Sequence, residues 1–255
     1  MDDDNHKKNE NQENVSNQSG KSIIKYLESE DKSYYVLDTP NEEDIKKLER
    51  LDYLFILESP HTDEVIKEHP LAGDSGKAVT KFLLGKDEKQ AFGEIVRDSY
   101  SSEAAAAKRA NSQLNNKKIA IVNVSNVPLQ VIEANKEATK DIVGLLESIR
   151  KNSIAQDNFG SVDLFKKFKT KLATYCDCKK FNDEATIVVC GEFAKKYFNK
   201  FLLGDKNLKI ETNTDLLQRI CDDKIQILYV PHPSRNQWQF IDRHRENLNT
   251  LKNQF

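Results

Sequence analysis

The sequence predicts a three-layer α/β/α fold with a central four-stranded parallel sheet. Four short apolar runs rich in Ile, Val and Leu alternate with longer amphipathic stretches along the chain. Continuous apolar runs are typical of strands that are buried on both faces, and strand–helix alternation favours parallel strands joined by right-handed crossovers. In sheets of this class, ligands bind beyond the carboxyl ends of the strands. The residues that follow each strand are therefore the ones to inspect for chemistry.

Composition limits the function classes. The chain has 255 residues and a nearly balanced charge, with 39 Lys and Arg against 41 Asp and Glu, which excludes a strongly basic, histone-like protein. No apolar run approaches the ~20 residues that cross a bilayer, and the N-terminus lacks a hydrophobic signal core, so we expect a cytoplasmic protein. The four cysteines are few and irregularly spaced, which predicts buried, reduced thiols rather than disulfides or a zinc site.

The N-terminal part predicts a tail followed by two short helices. Residues 1–20 are almost all polar, a composition typical of disorder, and residues 21–255 would form a single domain. Asn41, which precedes two glutamates, is typical of a helix start. Two apolar groups have helical spacing: Ile23, Ile24 and Leu27, then Ile45, Leu48 and Leu51.

The remaining elements follow from apolar runs and periodicity. The predicted strands are Tyr53–Leu57, Ile119–Val124, Ala185–Cys190 and Ile225–Val230. The predicted amphipathic helices are Lys77–Leu84, Ala91–Tyr100, Ala134–Arg150, Val162–Tyr175, Glu192–Leu203 and Phe240–Leu251. Ser101–Asn115, with its run of alanines, predicts an exposed helix between elements.

Polar groups emerge together after the first strand. Glu58, Ser59 and His61 follow it directly, and the segment Pro70–Lys77 begins the next helix. Glycines in that segment permit close backbone approach to a ligand, and a helix start offers free N–H groups to an anion. The spacing is not that of a Walker P-loop, because Ala78 stands where Ser or Thr would follow the lysine.

The second and fourth strands also end in polar residues. Asn123 offers both a donor and an acceptor, as reading a nucleobase edge requires, although an Asn at a strand end is usually a turn former. His232 stands between two prolines that fix the backbone on either side of it. Ser234, Arg235 and Asn236 supply hydrogen bonds suited to phosphate or sugar.

These residues resemble, in the same order, four motifs of the uracil-DNA glycosylase superfamily, most closely those of its family 4. The matching stretches are Glu58-Ser59-Pro60, Pro70-Leu71-Ala72-Gly73-Asp74-Ser75-Gly76-Lys77, Val122-Asn123-Val124-Ser125 and His232-Pro233-Ser234. The resemblance covers roughly residues 53–238, interrupted by apparent insertions near 86–117 and 131–183. It implies a single domain with a four-stranded parallel sheet.

The resemblance also implies an activity and a role for each residue. The activity is that of a monofunctional DNA glycosylase, which flips a base out of the helix, cleaves its bond to deoxyribose and leaves an abasic site. By the resemblance, Glu58 would activate water and offset the positive charge of the sugar, and His232 would hydrogen-bond the departing base. Asn123, Leu71, His61 and Ser59 would bind the base. Ser75, Gly76, Ser234, Arg235 and Asn236 would bind DNA phosphates.

The departures from the family pattern bear on substrate and cofactor. Leu71 stands where family 4 members stack a Phe on uracil, and His61 replaces a small Gly. The cluster-binding cysteines are also missing, with Val127 in place of one of them. We therefore expect no iron–sulfur cluster, no metal and no other cofactor. A lost aromatic platform favours a modified base, such as a hypermodified cytosine of phage DNA, over uracil, and with it a role in antiphage defence.

Two other functions remain open. A non-catalytic nucleic-acid-binding module on the same fold would need Asn123 and Ser234 but not Glu58. An enzyme of another class would use Ser59 or Cys190 as nucleophile with His232 as base, although a thiol that ends an apolar strand is more commonly buried.

The expected partner is DNA, bound by a monomer that makes no membrane contact. A basic face is needed for that partner, because the net charge of the chain is close to zero. The candidates for it are Lys166, Lys167, Lys169 and Lys171, or else Arg235, Arg243 and Arg245, although a charge run like the first is usually a solvated helix face.

Overall fold

The central sheet has four parallel strands in the order β2-β1-β3-β4. A computed structural model describes residues 38–48, 50–85, 89–125, 161–175, 181–203, 224–234, 237–240, 242 and 244–255. The strands are β1 (Leu51–Leu57), β2 (Ile119–Asn123), β3 (Phe181–Cys190) and β4 (Ile225–Val230). The predicted α/β class with an all-parallel sheet is confirmed.

Helices lie before, between and after these strands. Among the described residues they are α1 (Glu42–Lys47), α2 (Thr62–Lys67), α3 (Asp74–Leu83), α4 (Phe92–Ser99), α5 (Ala104–Gln113), α6 (Ser161–Tyr175), α7 (Glu192–Leu203), α8 (Gln237–Phe240) and α9 (Arg245–Asn253). None of them is both long and apolar enough to span a bilayer.

Helices cover both faces of the sheet. Leu54 and Ile56 of β1 pack in one core cluster with residues of α1, α6 and α7. The alternate side chains Phe55 and Leu57 pack in a second cluster with residues of α3, α4, α5 and α9. Because successive side chains of a strand point to opposite faces, this division places the helices in two layers, one on each side of the sheet.

The two edges of the sheet differ. β4 was expected to be buried on both faces, but Gln226 is exposed and Ile227 and Tyr229 are only half-buried. β4 lies at one edge of the described sheet, where β3 is its strand neighbour. At the other edge, Thr39 forms an antiparallel bridge with Ile121 of β2, with N–H···O distances of 2.9 and 2.7 Å.

Local signals set some of the helix ends. Asn41 caps α1 as predicted, accepting the N–H groups of residues 43 and 44 at 3.0 and 2.9 Å. The Ser101–Asn115 segment contains the mostly exposed helix α5. The predicted helix Phe240–Leu251 is instead two helices, α8 and α9, because His244 adopts a left-handed conformation with φ of 66° before α9 begins. The predicted tail 1–20, the apolar group around Ile23 and the predicted helix 134–150 lie outside the described residues.

Candidate active site

The carboxyl ends of the four strands form one row of residues across the sheet. Leu57 pairs with Asn123, and Cys190 pairs with Val230. The ladder continues past the strands, since Ser125 N–H donates to the Glu58 carbonyl at 3.0 Å. With neighbouring strands about 4.8 Å apart, Glu58 emerges beside the strand of Asn123 and about 10 Å from the strand that leads to His232. The sheet therefore places Glu58, Asn123 and His232 at the carboxyl ends of its strands.

The carboxylate of Glu58 is held at the start of α7. Its Oε1 accepts the N–H of Phe193 at 3.0 Å. The carboxylate also lies against Gly191, whose φ is +95°, and an added Cβ at this glycine would stand 2.3 Å from Oε1. The N-terminus of a helix favours a negative charge beside it. Within the part of the chain that the structure describes, Oε2 has no protein partner, so it is the oxygen available to water or ligand.

Asn123 combines full burial with an unpaired amide. The residue is 0% exposed, and neither Oδ1 nor Nδ2 has a hydrogen-bond partner within the described chain. Its backbone is fully engaged, because Asp38 Oδ1 accepts the N–H and Lys171 Nζ donates to the carbonyl. A buried donor or acceptor without a partner costs about 1–3 kcal/mol. Such a side chain is suited to a ligand edge that presents a complementary acceptor and donor.

His232 is held in one tautomer by its own loop. Its Nδ1 accepts the N–H of Ser234 at 3.2 Å, which puts the proton of the neutral ring on Nε2. Trp238 donates its indole N–H to the Pro231 carbonyl at 2.7 Å and is itself 1% exposed. Its ring packs edge-on against Phe82, with centroids 5.6 Å apart. The loop that carries His232 and Ser234 is therefore braced against the core.

Arg235 and Asn236, the other predicted phosphate-binding residues of this loop, lie outside the described residues. Ser234 itself is half-buried.

His61 and Ser59 lie between β1 and α2. His61 caps α2: its Nδ1 accepts the N–H of Asp63 at 3.5 Å, and its own N–H donates to Glu64 Oε2 at 2.5 Å. Its side chain is 54% exposed. Ser59 is half-buried beside the buried Pro60. These contacts of His61 stabilise the start of a helix.

Leu71 is part of the core. It is 2% exposed and packs in the cluster that contains residues of α3 and α4. Its backbone is left-handed, with φ of 52°, and its N–H donates to the Glu64 carboxylate. Gly76 lets this turn approach α3, because an added Cβ there would stand 1.8 Å from the Leu71 carbonyl oxygen. Ser75, in the first turn of α3, is half-buried.

Glu64 is a buried carboxylate that the sequence did not single out. Burial raises its pKa to about 7, although the N–H groups of His61 and Leu71 oppose this effect. The carboxylate thereby joins the His61 and Leu71 segments. The only sequence signal was its place three residues after the helix cap, which is the capping-box spacing.

Cys190 has the properties of a structural thiol. It is fully buried, and burial, together with the nearby charge of Glu58, raises its pKa well above the ordinary value. Because the thiolate is the nucleophilic form, this environment disfavours the interpretation of Cys190 as a nucleophile. Among the residues described, no group of three or more His, Cys, Asp or Glu could hold a metal ion.

Lys171 departs from its predicted place on a solvated or DNA-facing surface. It is 6% exposed and forms an ion pair with Asp38, which is 9% exposed. Sequence reasoning missed Asp38 and the pairing of Lys171 with it, and it also missed the contact of Gly191 with Glu58, for which the signal was a glycine between an apolar strand and a helix. No protein-family model and no curated protein matches this chain.

Proposed function

We propose that this chain is a monofunctional DNA glycosylase, which hydrolyses the N-glycosidic bond of a flipped-out base and leaves an abasic site. The observation that carries the proposal is the unpaired, buried amide of Asn123, which ends the strand next to that of Glu58. The ordered motif resemblance to the uracil-DNA glycosylase superfamily adds support. The proposed setting is a cytoplasmic monomer that acts on DNA.

The reaction replaces one bond by another. The bond between the base nitrogen and the sugar C1′ breaks, its electron pair leaves with the base, and a water oxygen bonds to C1′ of an oxocarbenium-like sugar. The proton lost by that water goes to the base or to solvent. Negative charge therefore develops on the base and positive charge on the sugar, so the site must stabilise both.

The side chains divide this work. His232 donates Nε2–H to a base oxygen, and a preorganised donor of this kind contributes roughly 3–4 kcal/mol. Glu58, fixed through Oε1, uses Oε2 to orient the water and its charge to offset that of the sugar. Asn123 pairs its amide with the base edge, which selects the base and satisfies both buried polar atoms.

The base proposed is a modified one, such as a hypermodified cytosine of phage DNA, with uracil as the simpler substrate. The support for this proposal is Leu71, an aliphatic residue that is buried in the core. At the matching position, members of the family that these motifs resemble stack a Phe on uracil. Without that flat platform, recognition depends on the hydrogen bonds of Asn123 and on pocket shape. A modified-base substrate would fit a role in antiphage defence.

An abasic-site cleavage assay tests the proposal. Oligonucleotides carrying uracil, other deaminated bases, and hydroxymethylated or glucosylated cytosine are incubated with the wild type, Glu58→Gln and His232→Asn. We expect each variant to lose at least about 100-fold in rate, as removal of one preorganised group does elsewhere. The matched control Glu103→Gln changes an exposed residue that precedes α5, and it should retain activity. Excision that survives in both site variants contradicts the mechanism.

The same assay separates two biological settings. Excision of uracil would indicate a repair enzyme and would show that Leu71 does not exclude that base. Excision of a bulky modified base alone would indicate the defence function.

A second candidate is a binding module that recognises a flipped base without cutting. The observation that favours it is the bond from Phe193 N–H to Glu58, because capping α7 would require this glutamate without any chemistry. Three results together would establish this module in place of the enzyme. The wild type would bind DNA tightly without forming an abasic product, Glu58→Gln would bind equally well, and Asn123→Leu would not bind.

A further inference from the structure

A buried ion pair lies at the outer edge of β2, directly beside Asn123. Lys171 Nζ is 3.1 Å from Asp38 Oδ2, and the two side chains are 8% and 6% exposed. Asp38 precedes the bridge that Thr39 makes with β2, and Lys171 belongs to α6. Lys and Asp are almost never buried to this degree unless they are paired.

Both charges contact the backbone of Asn123, one on each side of its Cα. Asp38 Oδ1 accepts the N–H of Asn123 at 2.9 Å, and Lys171 Nζ donates to the Asn123 carbonyl. β2 pairs with β1 on its inner side, so these two groups face the outer edge, where no further strand of the described sheet lies. Hydrogen bonds to charged groups are shorter and roughly twice as strong as neutral ones. The ion pair therefore fixes the backbone that carries the unpaired amide.

Stability alone is a poor reason for this arrangement. Desolvating two charges offsets most of their attraction, and apolar residues of similar volume often replace a buried pair without loss of stability. Phe168, Leu172 and Tyr175 already bury α6 in the core, and the Tyr175 hydroxyl donates to the Pro40 carbonyl. An apolar pair would cover the edge equally well, but it would leave the Asn123 N–H and carbonyl without partners.

We propose that Lys171 and Asp38 are positioning residues, which hold Asn123 so that its amide meets the flipped base in one geometry. The inference rests on the proposed function and deepens it, because it assigns base selection to a clamp outside the pocket, formed by these two side chains. A displacement of about 1 Å at a reacting or recognising group can cost roughly 100-fold in rate. The clamp thus sets how strictly the site discriminates between bases.

The test is the double variant Asp38→Asn/Lys171→Met. The introduced asparagine keeps an acceptor for the Asn123 N–H, and the introduced methionine keeps most of the lysine volume without a donor. Within the described residues the two charges of this pair are removed together, because removing one partner alone would leave the other charge buried and unpaired. Lys108→Met, on the exposed face of α5, removes a lysine charge elsewhere. Should the double variant fail to fold, Lys171→Arg, which keeps a positive charge beside Asp38 but moves the donor to the Asn123 carbonyl, carries the same measurements.

Excision and binding are measured on duplexes that carry uracil, hydroxymethylated cytosine or glucosylated cytosine. We expect the double variant to lose about 10- to 100-fold in kcat/KM for the preferred base and to discriminate less between bases. Its melting temperature should stay within a few degrees of the wild type, and Lys108→Met should behave as wild type throughout. Unchanged kcat, KM and base preference in the double variant overturn the inference.

Binding separates this inference from the enzyme proposal. If the wild type binds a modified duplex without excising any base, the glycosylase proposal fails. The clamp is then tested by comparing the Kd of the double variant for that duplex with the Kd of the wild type. A Kd at least about ten times weaker in the double variant then supports the clamp, and an equal Kd overturns it. A wild type that neither excises nor binds any of these duplexes overturns both.

Discussion

Substitution of Gly191 by alanine is the sharpest test of how Glu58 is placed. An added Cβ would stand 2.3 Å from Glu58 Oε1 and 2.8 Å from its Cδ. An optimal contact of this kind is about 3.5 Å, so the carboxylate must withdraw by about 1 Å. A shift of that size can cost roughly 100-fold in rate, which corresponds to about 2.7 kcal/mol of transition-state stabilisation.

The backbone contributes separately to this variant. Gly191 has φ of +95°, a conformation that costs a residue with a Cβ roughly 1–2 kcal/mol. Gly85 provides the matched control, because its φ is +111° and nothing lies within 4 Å of an added Cβ. Gly85→Ala therefore imposes a comparable backbone cost without contact with Glu58.

The assay compares single-turnover excision rates and urea unfolding for both alanine variants. We expect similar losses of unfolding free energy, together with a rate that falls about 100-fold for Gly191→Ala alone. Equal rates in the two variants would refute the argument that the position of Glu58 against Gly191 matters for the reaction.

Three further predictions follow from single groups. Asn123→Leu should raise the free energy of unfolding by about 1–3 kcal/mol, because it removes a buried, unpaired amide. The same variant should lose selective base binding. A lower free energy of unfolding in urea would contradict the stability prediction. Glu64 binds its proton more tightly in the folded state, with a pKa of about 7 against an ordinary 4.5, so its stabilising contribution is complete below pH 4.5 and is lost as the pH rises through 7. From pH 4.5 to pH 7, the free energy of unfolding of the wild type should fall by about 3 kcal/mol relative to that of Glu64→Gln. Free energies of unfolding that change in parallel with pH in the two proteins would show the prediction to be wrong. Cys190→Ala should keep its excision rate within about threefold, because a buried, protonated thiol is no nucleophile; a complete loss in a folded variant would restore the nucleophile hypothesis.

Local patterns predicted the fold well where each element carries its own signals. Both ends of α7 and of β4 match the expected residues, because apolar periodicity starts and stops there. β3 instead begins at Phe181, before the predicted Ala185. The early part pairs with β1 through Leu51, with a register shift before Tyr53, and the polar residues between Phe181 and Ala185 hide it from a pattern of apolar runs.

The site was predictable only as far as strand ends determine it. Asn123 and Glu58 follow from parallel-sheet geometry, whereas the partner of Lys171 is far away in sequence. The local pattern of a charged run predicts a solvent-exposed lysine. Only the folded structure shows that Asp38, 133 positions earlier, lies beside Lys171. The left-handed turn at Leu71 depends in the same way on Glu64 and on two glycines: Gly76 makes room for the Leu71 carbonyl, and Gly93 for the neighbouring Pro70 carbonyl.

The clamp on Asn123 also bears on the order of folding. It joins residue 123 to residue 38, 85 positions before it, and to residue 171, 48 positions after it. Contacts of such long sequence separation close large loops, as do those of the β1–β3 ladder, whose partners are about 130 positions apart. Release of the short segment around Asp38, which holds β2 through one isolated bridge, would remove half of the clamp and leave the ladder between β1 and β3 in place. On the proposed function, base recognition would then be lost before the sheet itself, so activity would report on the segment around Asp38 and not only on the presence of the sheet.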